Sequence, residues 1–495
     1  VKSITNYFSR ASREGEKFRE TFSIDQERHI LNYKLEKKEE IELILDVRDS
    51  YKNSYPDYEI EEVEDKILIT INVEGETFYL SVSGFERFKI SDEYFVRKYE
   101  LDQERKSPPF EKAVFKALKI TGKNLFFSVS SSKKEVLNKT GDLDLLKIKS
   151  KKEPLDFIAA KTGLENLLVK EERIYAGYPW FFQFWKRDEA VSLGGLKIIN
   201  EEAAKKVFWN LLKNKQDGIK EDNCIDGPGW IFKRAFLFLN DFDDKEEKKL
   251  ASYLKKYIDF NKKDPLIKTE EKRTWMDSIN RKGARIEVQA LQLSMYKLGK
   301  LIDEKNSDNY RELEDMLKKK VREIFWNGEF LADGYYPEED KIDRTIRPNI
   351  FLTYYIYPEL LTKEEWVKCF RRALYVLWLD WGGLATIDRN NSKFYSTHTG
   401  EDSRSYHQGD SWYFVNNLAA VAMNRLDHGK FSYEINKIIS ASREDLMWKG
   451  TISNHSEISS AERQIAQGAV SQAWSFATYI EAMYEILKID NYSWF

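Results

Sequence analysis

Two carboxylates stand in contrasting company. Asp277 ends the run Thr274–Asp277 (TWMD), and Glu457 ends the polar run Ser453–Glu457 (SNHSE). The bulk of Trp275 and Met276 can strip water from Asp277 and raise its pKa toward that of a working general acid. A polar loop instead lets Glu457 stay ionised and hold a water. Each has a plainer alternative: Asp277 as a helix cap or surface aspartate, and Glu457 displaced in its role by its neighbour Glu462. A third stretch, Tyr178–Glu189 (YPWFFQFWKRDE), runs a wall of rings straight into Arg187-Asp188. Rings beside charged hydrogen-bonding groups suit a sugar, whose C–H face lies on an aromatic ring while its hydroxyls take carboxylates, arginine or amides. The plain alternative is core packing next to a helix N-terminus that favours an aspartate.

Further unusual residues recur along the chain. They include Asp226–Trp230 (DGPGW), Arg285–Leu291 (RIEVQAL) with Glu287, and Arg347–Asn349 (RPN). Tyr406–Trp412 (YHQGDSW), Ser456–Ile458 (SEI) and Ser471–Ser475 (SQAWS) follow. Asp226 and Glu287 read as sugar ligands or supporting groups rather than catalysts. His407 reads as a sugar ligand or a satisfied core histidine. Gln408 and Gln472 can bridge paired hydroxyls or cap backbone groups. Trp230, Trp412 and Trp474 can stack on sugar or fill helix core, and Arg347 can anchor a loop. Cys/His metal spacing, a phosphate-binding glycine loop and a Ser-His-Asp arrangement are not apparent, so no cofactor or metal is expected.

These residues need a scaffold. Residues 1–150 read as strand: Glu40–Val47, Lys66–Val73, Thr77–Val82 and Phe126–Val129 alternate or run β-branched. Glu74-Gly75 sits between two of them as a hairpin turn. An antiparallel β-sandwich is expected, followed by a charged linker at Lys147–Glu153. Residues 151–495 read as helix, with twelve candidates: 154–168, 186–200, 201–214, 226–240, 245–262, 286–302, 309–327, 349–358, 363–378, 408–426, 431–448 and 470–487. Their connections alternate short and long, and every unusual residue falls on the long-loop side. That alternation predicts two rings of six helices, an α/α toroid or (α/α)6 barrel, with the clusters converging on one axial pocket.

Composition excludes other classes. Of 495 residues, 33% are charged, but the formal net charge is only −3, which gives no purchase for a nucleic acid. No stretch approaches a membrane span or a signal peptide, and two cysteines fit a reducing compartment. A cytoplasmic protein is expected. Abundant Lys, Glu and Ile with little Cys and Met is a thermophile-like composition.

Taken in order, PWF…RD, D…W, TWMD, IE-Q-AL, RPN, YHQG–W and SEI…SQAWS resemble the amylo-α-1,6-glucosidase part of glycogen debranching enzymes, over about 150–495. The resemblance implies an (α/α)6 barrel that inverts the anomeric centre. It makes Asp277 the general acid and Glu457 the general base. It places Arg187, Asp188, Asp226, Glu287, His407 and Trp412 around a terminal glucose. The implied partner is a glucan or oligosaccharide, cut at α-1,6 branch stubs. A trehalase-like or glucoamylase-like glucosidase and a non-catalytic glucan-binding protein are the alternatives. The chain departs from the family pattern at Lys186, where a glycine is usual, and at Asp410-Ser411, where Thr-Val is usual.

Overall fold

A computed structural model of the chain describes residues 1–6, 10–25, 29–47, 54–139, 153–170, 172–213, 224–260 and 263–487. The chain divides into two compact units, Val1–Lys151 and Lys152–Phe495. Except for Glu153, the expected linker lies outside the described residues.

The first unit holds β1 (Ser3–Asn6), β2 (Arg10–Glu14), β3 (Arg19–Asp25), β4 (Ile30–Leu45), β5 (Asp57–Val63), β6 (Lys66–Val73), β7 (Glu76–Lys98) and β8 (Glu111–Ser130). Instead of two separate sheets, these form one continuous sheet in the order β1-β2-β3-β4-β8-β7-β6-β5, every pair antiparallel. The long central strands carry register shifts, which bend them. At one shift Gly84 takes φ +80°, where a Cβ would lie 2.2 Å from the Asn124 carbonyl oxygen. The expected β6–β7 hairpin is present, with Glu74 and Gly75 both at positive φ, as a two-residue primed turn requires. Ile67, Ile69, Ile71, Val82, Phe115, Leu118 and Ile120 form its core. Two short helices, α1 (Glu100–Arg105) and α2 (Lys133–Asn138), complete the unit.

The second unit is helical: α3 (Leu155–Leu167), α4 (Lys186–Ile199), α5 (Glu201–Lys213), α6 (Gly227–Ala235), α7 (Asp244–Lys255), α8 (Ile286–Ile302), α9 (Ser307–Phe325), α10 (Asn349–Ile356), α11 (Lys363–Leu377), α12 (Tyr413–Glu444) and α13 (Ala473–Leu487). Each of the twelve expected segments contains helix. Two of them run on as α12, which breaks at Asp427 where the backbone turns extended. Burial sorts the helices into two kinds. All eight residues of α10 are buried, and α8 is buried on nearly every side. By contrast, α9 buries an apolar stripe at Tyr310, Leu313, Leu317, Val321 and Phe325, with Glu314 beside it, and its opposite face is exposed. Packing follows that division. α4 touches α6, α6 touches α8, α8 touches α10, α10 touches α12, α12 touches α13, and α13 returns to α4. α3, α5, α9 and α11 lie against α13, α4, α8 and α10 respectively. Among the described residues no helix is long and apolar enough to cross a membrane.

Candidate active site

The expected site residues cluster at the N-terminal ends of the mutually packed helices. Arg187 and Asp188 lie in the first turn of α4, Glu287 in the first turn of α8, and Asn349 opens α10. Asp226, Trp412 and Gln472 immediately precede α6, α12 and α13. Periodicity places residues 408–412 and 470–472 in helices, but neither stretch is helical. Ser411–Trp412 pairs with Ile458–Ser459, and Ser471–Gln472 pairs with Gly177–Tyr178. These short strands stitch the long loops together, which holds distant site residues in register.

Arg187 links two of the expected carboxyls. Arg187 donates to Asp226 Oδ1 at 3.2 Å and to Asp277 Oδ2 at 3.3 Å. The second Asp226 oxygen accepts the Trp275 backbone N–H at 2.8 Å, so Asp226 ties α6 to the TWMD loop instead of capping its own helix. Trp275 Nε1 donates to Asn349 at 2.8 Å. The Asp277 side chain is 44% exposed although protein surrounds it closely, which describes a carboxyl in a water-reached recess. That enclosure raises its pKa to about 6. The Arg187 charge opposes the rise, while Glu401 and Asp226 add to it. Glu401 is a residue that sequence reasoning missed; it sits in the long loop before the YHQG motif, with no motif of its own to signal it.

Glu457 is 2% exposed. Tyr406 O–H donates to its Oε1 at 2.5 Å and the Ala469 backbone N–H to its Oε2 at 2.9 Å. Both bonds suit a carboxylate. Tyr406 was visible in the YHQG motif but not singled out. Gly468 was not singled out either. It has φ +67°, and a Cβ there would fall 2.2 Å from Glu457 Oε2. Gly468→Ala is therefore expected to push the Glu457 carboxylate aside and lower kcat by about tenfold or more, with the folded state retained by circular dichroism. An unchanged kcat would show that the carboxylate position is not critical.

Asp188 follows Arg187 in the first turn of α4. It accepts from Gln472 Nε2 at 3.3 Å. Burial pushes its pKa up to about 8; Arg187 opposes this, and the charges of Asp277, Glu457 and Asp226 reinforce it. The charges of Asp277 and Glu457 therefore both lie within electrostatic reach of Asp188. Burial, with the positive charges of Arg347, Arg187 and Arg281, holds the His407 imidazole well below its usual pKa. A neutral His407 pairs through Nδ1 with the Ser278 hydroxyl at 2.7 Å, next to Asp277.

Other expected ligands are engaged elsewhere. Both Glu287 oxygens are taken by Arg281, at 2.7 and 3.1 Å, and Arg281 also grips Asp333. Glu287 thus belongs to a buried ion network with Arg281 and Asp333. Arg347 anchors loops through the carbonyls of Thr386 and His407, both within 2.9 Å. Gln408 donates to Ser403 O within its own loop. Trp230 is buried against Tyr355 and Arg234. Trp412 stacks on His407 at 4.8 Å and meets Trp275 and Trp474 edge-on, while Trp474 stacks on Phe414 at 4.2 Å. Trp275, Trp412 and Trp474 form a buried ring cluster with His407 and Phe414. The wall of rings is likewise partly spent on itself. Phe184 is held by Tyr175, stacked at 4.7 Å, and by the Arg173 guanidinium at 4.3 Å, which occupy its faces. Trp180 is buried and Phe181 half-buried in the turn closed by the Gly177–Phe181 bridge. Glu462 faces a separate surface cavity with Trp381, Arg389 and Phe394, where Thr397 donates to it at 3.2 Å. Among the described residues no group of His, Cys, Asp or Glu gathers as a metal site.

Residues 153–481 match the family model of amylo-alpha-1,6-glucosidase. No curated protein matches the chain. Among solved structures, a bacterial glucoamylase complexed with acarbose is similar at TM-score 0.70 and 12% identity, covering 99% of this chain and 86% of that one. A mannosylglycerate hydrolase from Thermus thermophilus, in complex with Tris, is similar at TM-score 0.52 and 10% identity, covering 66% of this chain and 99% of that one. At such identity these are likenesses of fold.

Proposed function

This chain belongs to the amylo-alpha-1,6-glucosidase family, and from that premise we propose an exo-acting inverting glycoside hydrolase that releases glucose from α-1,6 branch stubs of glycogen-like glucans. The cyclic packing of α4, α6, α8, α10, α12 and α13 supports an (α/α)6 toroid with its reactive mouth at their N-termini. The observation that carries the reading is the asymmetry of the two carboxyls whose charges act on Asp188. Asp277, raised to about 6, retains a proton to give to the glycosidic oxygen. Glu457, bonded at both oxygens by donors, acts as the carboxylate that takes a proton from water. The water attacks C1 from the face opposite the leaving oxygen. Inversion requires room for that water, with carboxyls roughly 6.5–9.5 Å apart.

Arg187, Asp188 and Asp226 bind hydroxyls of the terminal glucose, with Trp180, Phe181 and Trp185 supplying ring faces. Incubation with limit dextrin, trehalose and maltose, with the anomer of the released glucose read by proton NMR, tests the reading. β-Glucose from limit dextrin in preference to the other two supports it. Release from trehalose or maltose alone points to another glucosidase on this scaffold. No release from any of them points to a binding protein.

Asp188→Ala is expected to reduce kcat/KM by the equivalent of about 2–4 kcal/mol, because the hydrogen bonds between its carboxyl and the sugar hydroxyls go unmade. The same carboxyl has a stability signature. Its folded pKa of about 8 lies above the ordinary aspartate value of 3.8, so the native state holds an extra proton between these pH values. Stability is fully present at the acid end of that window and is lost as pH rises through about 8. Asp188→Asn should flatten that decline in Tm. An equal decline in the variant would assign it to other groups.

A further inference from the structure

A Ser-His-Asp arrangement that was not apparent along the chain does exist in space. Ser442 lies in the last turn of α12, Asp445 opens the π-helical turn Asp445–Lys449, and His455 lies two residues before Glu457. His455 Nδ1 lies 2.9 Å from Asp445 Oδ2, and its Nε2 lies 2.7 Å from Ser442 Oγ. As a carboxylate, Asp445 accepts from Nδ1–H, which leaves the Ser442 hydroxyl to donate to Nε2. A hydrolase triad needs an accessible serine. Ser442 is 1% exposed and the other two are 0% exposed, so no substrate reaches them. The imidazole is boxed by the rings of Tyr413, Phe476 and Tyr479, with centroids at 4.8, 6.1 and 5.9 Å.

The connections of this buried chain lead to the reactive carboxylates. The same Asp445 Oδ2 accepts the Ser456 backbone N–H at 2.8 Å, one residue before Glu457. The His455 carbonyl accepts the Gln472 backbone N–H at 2.9 Å, and Gln472 is the residue whose side chain holds Asp188. The Asp445 carbonyl accepts from Gly450, the wide i to i+5 bond of a π-turn, and a Cβ on Gly450 would fall 2.8 Å from Ser456 Oγ. One carboxylate therefore roots both Glu457 and the partner of Asp188.

We propose that the buried Ser442–His455–Asp445 chain is the positioning device for Glu457, fixing the carboxylate where it activates water. The inference rests on the reading of Glu457 as base. A residue that only supports the fold would change stability and sugar binding together. A residue that positions the base lowers turnover while the sugar still binds, and a small external nucleophile then replaces the misplaced base and water.

The test is Asp445→Asn, with His455→Phe as the second variant because it keeps a ring in the aromatic box. The readouts are kcat on α-glucosyl fluoride, the Kd of a basic iminosugar, and the products formed with sodium azide. The expected result is a kcat lower by ~10–100-fold, a Kd within twofold, and partial rescue by azide. Rescue forms a C1–N bond as the C1–F bond breaks, and gives β-glucosyl azide. Unchanged kcat in the folded protein, or joint loss of kcat and binding without rescue, overturns the proposal. If Asp445→Asn fails to fold, His455→Phe decides by the same readouts, and a fully active His455→Phe overturns the proposal. Glu457→Ala is the control. If it keeps full activity, the reading of the base falls. If it is inactive and rescued by azide while the Asp445 and His455 variants behave as wild type, only the positioning role falls.

Discussion

Asp277→Asn is expected to lower kcat on natural glucosides by a factor of ~10²–10⁴, while α-glucosyl fluoride is hydrolysed with a much smaller loss. The difference separates the jobs a carboxyl can do here. A sugar leaving group departs as an alkoxide unless it is protonated, so it needs the acid; fluoride does not. Asp277 fits the acid because its pKa is raised to about 6 by enclosure, in spite of Arg187 at 3.3 Å. The acid limb of activity should follow the base and the alkaline limb should follow the proton on Asp277, in a bell whose two apparent values belong to the coupled pair. Equal loss on both substrates would make Asp277 an orienting group bound to Arg187 and send the search for the acid to other carboxyls, with Glu401 next in line.

Glu457→Ala is expected to lower kcat by a similar ~10²–10⁴, but on α-glucosyl fluoride as fully as on glucosides. Water must be deprotonated whatever the leaving group. Sodium azide, which needs no base, should restore part of the rate and yield β-glucosyl azide. Glu462→Gln should leave kcat within about twofold, since surface substitutions away from a site rarely matter. Its carboxylate is engaged by Thr397 beside a separate cavity, whereas Glu457 is held by Tyr406 and Ala469. The reverse outcome, with Glu462→Gln inactive and Glu457→Ala active, would exchange their roles.

Much of the scaffold was legible in the chain because helix periodicity is local. The apolar run of α10 and the single stripe of α9 announce a helix covered on all sides and a helix covered on one. The clusters of unusual residues were legible by type, since an aromatic block ending in Arg-Asp has few uses. The sequence by itself also brought forward Asp277, from its apolar neighbours, and the polar loop that holds Glu457 and its competitor Glu462.

Partnership was another matter, because hydrogen bonds join residues far apart in sequence. Arg187 reaches Asp277 across 90 positions, and Gln472 reaches Asp188 across 284. Residue type left Glu287 open as a sugar ligand or a supporting group, and only the fold shows Arg281 bonded to both its oxygens. Phe184 carries the same ring as Phe181, yet Arg173 and Tyr175 close over it. Glu457 and Glu462 lie five residues apart in one polar loop, and nothing in their local spacing ranks them. The loop's short strand pairing with Ser411–Trp412 turns one inward beneath Tyr406 and leaves the other at the surface. A carboxylate's role depends on its donors and on the water that can reach it, and only the folded chain supplies either.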